Sequence, residues 1–206
     1  MMKHVRAGSL CVLVAAAAMT ATGVSAVEQL SRRDAARLQA KIEKINKNVM
    51  ASRTAAPLKT PVTETEVNSY LAYELADRIP AGVKEPRVSI LGDGGHLQGT
   101  ATVDLSVVAK SHKSSGGMLD PYSYMTGTVP ITANGVLRTK NGVATFALDS
   151  ASVSGVPVPT WMLQEIVSYY SKSPSSPQGV AIDKPFPLPA GIKEIQLAPG
   201  QAVVVQ

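Results

Sequence analysis

Residues 128–153 read TVPITANGVLRTKNGVATFALDSASV and contain the clearest structural pattern of the chain. Apolar and polar residues alternate along both halves, as they do in strands with one apolar and one polar face. Asn141-Gly142 separates the halves, and Asn-Gly is the strongest short-range signal for a tight hairpin. The sequence therefore predicts two long antiparallel strands, with Ile131 and Phe146 among the residues on their inward face.

Further strands are predicted on either side of this hairpin. Residues 97–109 alternate in the same way, with Val103 and Leu105 on one face and polar residues between them. A second hairpin is predicted over 192–205, because Pro199-Gly200 suits a type II turn between two apolar runs.

Two helices are predicted to pack on the sheet. The first begins at a capping box, Thr63-Glu64-Thr65-Glu66, and runs to Pro80 with apolar residues recurring every four positions. The second begins at Thr160. Their apolar faces consist of Val67, Tyr70, Leu71 and Leu75 in the first helix, and of Leu163, Ile166, Val167 and Tyr170 in the second.

The fold class is therefore α+β, with an antiparallel sheet and one or two core helices in a single domain over 62–206. Residues 27–61 precede this domain as a separate helix over 28–50 and a proline-containing linker over 51–61. The helix is rich in basic residues and its apolar stripe is thin. We interpret it as a solvated helix or spacer, because a membrane-surface helix needs larger apolar residues.

Residues 1–26 have the pattern of an export signal. Lys3 and Arg6 precede an apolar run over 10–19, and Val24-Ser25-Ala26 supplies small residues for cleavage before Val27. An uncleaved N-terminal membrane anchor is the alternative. Cys11 is the only cysteine, so the exported chain contains no disulfide, which favours a bacterial envelope. We expect a periplasmic protein, with the extracellular space as the second choice.

Composition narrows the class of protein and its partners. The chain has 206 residues, of which 45% are hydrophobic, 17% charged and 4% aromatic, so a folded domain with an aliphatic core is expected. Removal of the signal leaves 18 basic and 15 acidic residues, a net charge of +3. Such a charge suits transient contact with an anionic membrane surface. Nucleic acid is excluded as a partner, because no basic stripe with interleaved aromatics occurs.

No catalytic motif or metal-binding motif is present in the sequence. His96 and His112 each lie in a predicted Gly- or Ser-rich loop, without a second ligand at metal spacing. The Gly-x-Ser-x-Gly elbow of serine hydrolases is missing. We therefore expect a protein that is not an enzyme and that binds neither metal nor cofactor. A hydrolase that uses His96 or His112 is the remaining catalytic alternative.

The inward face of the predicted sheet carries small residues where large aromatics are usual. Ala101, Ala133, Gly135 and Ala144 are the clearest examples. Such a face either packs closely on a helix or leaves an apolar groove, and the alternation is the same in both cases.

The order of these motifs resembles the YceB-like and LmeA-like envelope proteins of bacteria. The segment VTETEVNSYL over 62–71 is similar to their helix opening, VPTWML over 158–163 to their second helix, and residues 192–205 to their terminal hairpin. The resemblance covers about 62–206. It implies a TULIP-type fold, in which a long curved sheet wraps a core helix and encloses an apolar lipid groove. YceB-like members are lipoproteins, whereas this chain has no lipobox.

The sequence supports two hypotheses for the function of the protein. The first is the binding of a lipid or other amphiphile between the two helical faces named above and the sheet residues Val103, Leu105, Ile131 and Phe146. The second is an envelope scaffold with a closed core, which recruits a protein partner through the helix over 28–50.

Overall fold

The computed structural model describes residues 29–51, 57–107, 126–159, 164 and 181–206. The predicted signal, the His112 loop and the helix predicted from Thr160 lie outside these residues, except for Gln164, which is helical. The helices are α1 (Arg32–Ala51) and α2 (Glu64–Tyr73). The strands are β1 (Lys59–Thr63), β2 (Val83–Ile90), β3 (His96–Asp104), β4 (Thr128–Lys140), β5 (Val143–Val153), β6 (Val156–Pro157), β7 (Phe186–Pro187), β8 (Glu194–Ala198) and β9 (Gln201–Val205).

The strands form two antiparallel sheets, which confirms the α+β class. The larger sheet has the order β2-β3-β4-β5-β6, and β7 pairs with the other end of β5. The smaller sheet has the order β1-β9-β8. The predicted hairpin between β4 and β5 is present, and Asn141 (φ 51°) and Gly142 (φ 79°) both adopt the left-handed conformation that a type I′ turn requires.

Helix α1 packs against the rest of the fold, so the interpretation of it as a solvated helix or spacer is wrong. It begins later than predicted, because the Ser31 hydroxyl accepts a hydrogen bond from the Asp34 backbone N–H (3.1 Å) and caps the first turn. Its inner face buries Ala35, Leu38 and Ile45. Polar contacts with α2 supplement the thin apolar stripe, because the Lys41 ammonium donates to Glu66 Oε2 (2.6 Å) and the Tyr70 hydroxyl donates to Gln39 Oε1 (3.0 Å).

Hydrogen bonds of the Gln206 side chain hold α1 beside the smaller sheet. The Gln206 side chain is 4% exposed, and its Nε2 donates to the carbonyl oxygens of Ile45 (2.9 Å) and Ala190 (2.7 Å). Asn48 Nδ2 donates to Gln206 Oε1 (3.1 Å). Because a buried amide is costly unless its donors and acceptor are paired, this network fixes the position of the helix.

The linker predicted over 51–61 is wrong at its C-terminal end, where residues 59–63 form β1. This strand pairs along its length with β9 at the far end of the chain. Pro61 is tolerated there because β1 is an edge strand and needs hydrogen bonds on one side only. The sequence around Pro61 contains no signal for a strand, since the partner lies about 140 residues away.

The capping box of α2 is confirmed, but its buried face is not the predicted one. The Glu66 N–H donates to Thr63 Oγ1 (3.2 Å), and the Thr63 N–H donates to Glu66 Oε2 (2.9 Å). The helix ends at Tyr73, and a 3-10 turn follows. Its most buried residues are polar, namely Glu66, Asn68 and Ser69, whereas the predicted apolar face is only half-buried.

These polar residues connect α2 to its neighbours. Asn68 Oδ1 accepts from the Val88 N–H (2.8 Å), and Asn68 Nδ2 donates to the Val88 carbonyl (3.0 Å). Glu64 Oε2 accepts from the Ile90 N–H (2.6 Å). Pro86 has no N–H to satisfy. The free edge of β2 is therefore closed by α2 and by proline, which protects it from pairing with another chain.

Candidate functional site

The registers of β3, β4 and β5 place the apolar residues of the larger sheet on one face. Ala101 pairs with Ile131, and Ile131 pairs with Val153. Val103 pairs with Val129, and the rows continue toward the hairpin turn. Cross-strand partners share a face, so the sheet presents a continuous apolar surface. The sequence-predicted residues Val103, Ile131 and Phe146 all belong to this apolar face.

The middle of the apolar face is a row in which the small residues Gly99 and Ala133 lie between Val88 and the buried Ala151. Val88 of β2 pairs with Gly99, Gly99 with Ala133, and Ala133 with Ala151. A Cβ atom built on Gly99 would meet no atom of the described residues closer than 4.0 Å. We call this row the small-residue trough. From strand spacing it is about 14 Å long, with the flanking rows about 7 Å away on either side.

Phe146 bounds the trough on the side of the hairpin turn. A Cβ atom on Gly135 would lie 2.5 Å from the Ala147 carbonyl oxygen and within 3.0 Å of the Phe146 ring atom Cε1. The ring therefore occupies the side-chain space that Gly135 leaves empty. The register shifts between Asn134 and Gly135, and this bulge brings the ring over the glycine. Gly135 is small because it supports Phe146, whereas nothing described covers Gly99.

Helix α2, the described helix of the predicted site, does not lie across this apolar face. Helix α2 packs along the edge strand β2 and against α1. The Tyr70 hydroxyl donates to Gln39 Oε1 of α1 (3.0 Å), so Tyr70 lies in the helix–helix interface. Val67, Leu71 and Leu75 are half-buried on or directly after α2.

Two further predictions about the site have different outcomes. Leu105 is not a strand residue, because β3 ends at Asp104 and residues 105–107 form a helical turn. The other four predicted helix residues, Leu163, Ile166, Val167 and Tyr170, lie outside the described residues. The sheet half of the site is therefore the part whose geometry is defined.

The opposite face of the larger sheet is polar and was not singled out from the sequence. Gln98 Nε2 donates to Asn134 Oδ1 (2.9 Å), and Asn134 Nδ2 donates to Ser150 Oγ (3.1 Å). A shallow open depression of about 300 Å³ lies beside this ladder. It is lined by Glu85, Arg87, Thr100, Thr102, Pro130 and Thr132 together with Ala101 and Ile131, whose side chains belong to the apolar face. In the sequence, the alternation of threonines with apolar residues along β3 is the pattern that indicates this polar face.

The titratable groups do not form a catalytic arrangement within the described ranges. The Lys84 ammonium donates to the Asp104 carboxylate (3.1 Å) and lowers the pKa of that carboxyl. The Ser31 hydroxyl, followed by Arg37, lowers the pKa of Asp34. Both carboxylates serve surface hydrogen bonds away from the apolar face.

His96 is the first residue of β3 and does not lie in a loop as predicted. Its Nδ1 lies 3.7 Å from Asp149 Oδ2, and both side chains are about half exposed. The described parts of the chain contain no group of three or more His, Cys, Asp or Glu side chains placed to hold a metal ion. Nor does any helix of these parts combine the length and the apolar character needed to cross a membrane.

Comparison of the sequence with protein-family models and with curated proteins finds no match.

Proposed function

We propose that this protein is an exported, non-catalytic binding protein for a lipid or a similar amphiphile. The observation that carries the proposal is the small-residue trough, a row from Val88 to Ala151 that is bounded by Phe146 and in which no atom of the described residues lies closer than 4.0 Å to a Cβ built on Gly99. An apolar chain lying in this trough would contact backbone and small side chains at Gly99 and Ala133, whereas Ala151 is already buried. The few aromatic residues of the chain agree with a face shaped for aliphatic contact.

The energetics of such a contact are favourable. Each fully buried methylene group contributes about 0.8 kcal/mol. A ligand that contacts the trough on one side buries about half of that surface, so eight methylenes supply roughly 3 kcal/mol before the cost of ordering the ligand.

The cellular setting is proposed from the sequence. The export-signal pattern over 1–26 and the lack of any other cysteine besides Cys11 favour the bacterial envelope. The resemblance to TULIP-type envelope proteins supports an amphiphile as ligand. Transport or maintenance of envelope lipids is the role that fits both.

Substitution of Gly99 tests the proposal. Gly99 lies in β3 with an ordinary backbone conformation, so Gly99→Leu is tolerated by the strand and fills the trough. We expect native mass spectrometry of protein purified from its own host to detect bound amphiphile in the wild type and to lose it in Gly99→Leu.

Thr100→Val is the matched control, because it changes the neighbouring residue on the opposite, polar face of β3. We expect this variant to retain the ligand. Two results would count against the proposal and favour the envelope scaffold with a closed core. One is wild-type protein that consistently contains no ligand, and the other is loss of ligand in both variants while the fold is intact.

A further inference from the structure

The exposed side of α1 carries a line of basic residues opposite its buried side. Arg33, Arg37, Lys44 and Lys47 are exposed and follow one another at spacings of four, seven and three residues. These spacings place them on one helical face, since three and four residues make about one turn and seven make about two. We call these four residues the cationic stripe. It spans about 21 Å along the helix axis.

Few acidic groups of the described residues neutralise the cationic stripe. Arg37 Nη1 pairs with Asp34 Oδ1 (2.7 Å). Among the described residues, Arg33, Lys44 and Lys47 form no ion pair. Lys41 is not part of the stripe, because its ammonium is held by the buried Glu66 carboxylate.

The second acidic residue of α1 is Glu43, whose carboxylate accepts from Gln39 Nε2 (3.0 Å). Helix α1 as a whole contains six basic and two acidic residues, a net charge of +4. The chain without residues 1–26 has a net charge of +3, so everything outside α1 sums to −1. The positive charge of the protein is thus concentrated on one helix.

The packing of α1 limits the kind of surface that the cationic stripe can contact. The large apolar residues Leu38 and Ile45 are buried against the rest of the protein. On the side of the cationic stripe the exposed apolar residues are the small Ala36 and Ala40, and the half-exposed Val49 lies on the opposite side of the helix, so the stripe differs from the apolar face of an interfacial amphipathic helix. A partner for this face must be an extended negatively charged surface that long basic side chains can reach from above.

From this charge pattern we infer that the cationic stripe docks the protein on an anionic lipid bilayer through head-group contacts alone. The docking is reversible and electrostatic, and it goes beyond amphiphile binding because it uses a different face of the molecule. Each basic residue near an anionic bilayer contributes roughly fivefold to partitioning, and the attraction is confined to about one Debye length. Steep weakening by salt is its signature.

Vesicle sedimentation tests the inference. We expect the wild-type protein to bind phosphatidylcholine vesicles that contain phosphatidylglycerol, to ignore pure phosphatidylcholine vesicles, and to be released by salt. A variant with Arg33→Gln, Arg37→Gln, Lys44→Gln and Lys47→Gln should bind well over tenfold more weakly. All forms share the same N-terminus, so any contribution from residues 1–28 cancels.

The matched control removes four exposed basic residues elsewhere, with Arg138→Gln, Lys140→Gln, Lys184→Gln and Lys193→Gln. It has the same net charge as the stripe variant and should keep most of the wild-type binding. Equal loss in both variants would overturn the inference, because net charge alone would then explain the binding. Wild-type protein that ignores anionic vesicles at low salt, or that binds both vesicle types equally, would overturn it as well.

Discussion

Asn68 makes with Val88 both of the hydrogen bonds that a neighbouring strand would make at the edge of β2. The amide is 1% exposed and acts as a single strand residue supplied by a helix. Thr139 does the same for β8, since its hydroxyl accepts from the Ile195 N–H (2.8 Å) and donates to the Ile195 carbonyl (3.0 Å). Side chains therefore complete the edges of both sheets where no strand is present.

Replacing Asn68 by alanine should destabilise the fold. Asn68→Ala leaves the Val88 N–H and carbonyl without their partners in a buried position, and we expect a loss of about 2–4 kcal/mol in the free energy of unfolding. Urea unfolding followed by circular dichroism measures it. Asn46→Ala, on the exposed side of α1, is the control and should change stability by less than about 0.5 kcal/mol. Equal stability of the two variants would refute the edge-closing role.

Two glycines of the larger sheet should respond to alanine in opposite ways. In Gly135→Ala the new methyl group meets the Phe146 ring and the Ala147 carbonyl, so we expect destabilisation of about 1–3 kcal/mol. In Gly99→Ala the methyl meets no atom of the described residues closer than 4.0 Å, and the loss of glycine flexibility should leave stability unchanged or raise it by up to about 1 kcal/mol. Thermal unfolding of the two variants compares them directly. A destabilised Gly99→Ala would show that the space over Gly99 is filled.

Two ion pairs of α1 should differ in their contribution to stability. Glu66 is 5% exposed, and Lys41→Met removes the cation that neutralises it, so we expect a loss of about 2 kcal/mol. Arg37→Met breaks the pair with Asp34 at the surface and should cost less than about 0.5 kcal/mol. Chemical unfolding of both variants distinguishes them. Similar losses would mean that burial of Glu66 does not set the strength of the contact.

Acid should remove the contribution of Asp104 to stability. Its pKa is lowered in the folded protein by the Lys84 hydrogen bond, so the folded state is favoured above the ordinary carboxyl pKa of 3.8. That contribution is lost as the pH falls through the lowered folded-state value. In the variant Lys84→Gln, the carboxyl pKa of Asp104 should rise toward 3.8, as followed by NMR titration. An unchanged titration would contradict the assigned cause.

The sequence predicted those elements whose signals are local. Asn141-Gly142 and the alternation around it were enough for the long hairpin, and Thr63 with Glu66 was enough for the start of α2. What was missed depends on partners distant in the chain. β1 exists because β9 lies beside it, and α1 is packed because Gln206 and Glu66 reach it.

The arrangement of the residues proposed for the site was predicted only in part, for a related reason. Periodicity placed Val103, Ile131 and Phe146 on one sheet face correctly, because strand alternation follows from backbone geometry. It gave no information about which side of α2 meets the sheet. Polar Asn68 takes the buried position, and Tyr70 is drawn to Gln39 of α1. Specific hydrogen bonds overrode the apolar pattern there.

An isotope-filtered NOE experiment on the protein with a bound fatty acid locates the amphiphile on the sheet. We expect contacts from the acyl chain to the methyl groups of Ala101, Ile131 and Ala133, which line or flank the small-residue trough. We expect none to the methyl groups of Thr100 and Thr132 on the polar face of the same strands. Acyl contacts to the threonines, or contacts to neither set, would contradict this expectation.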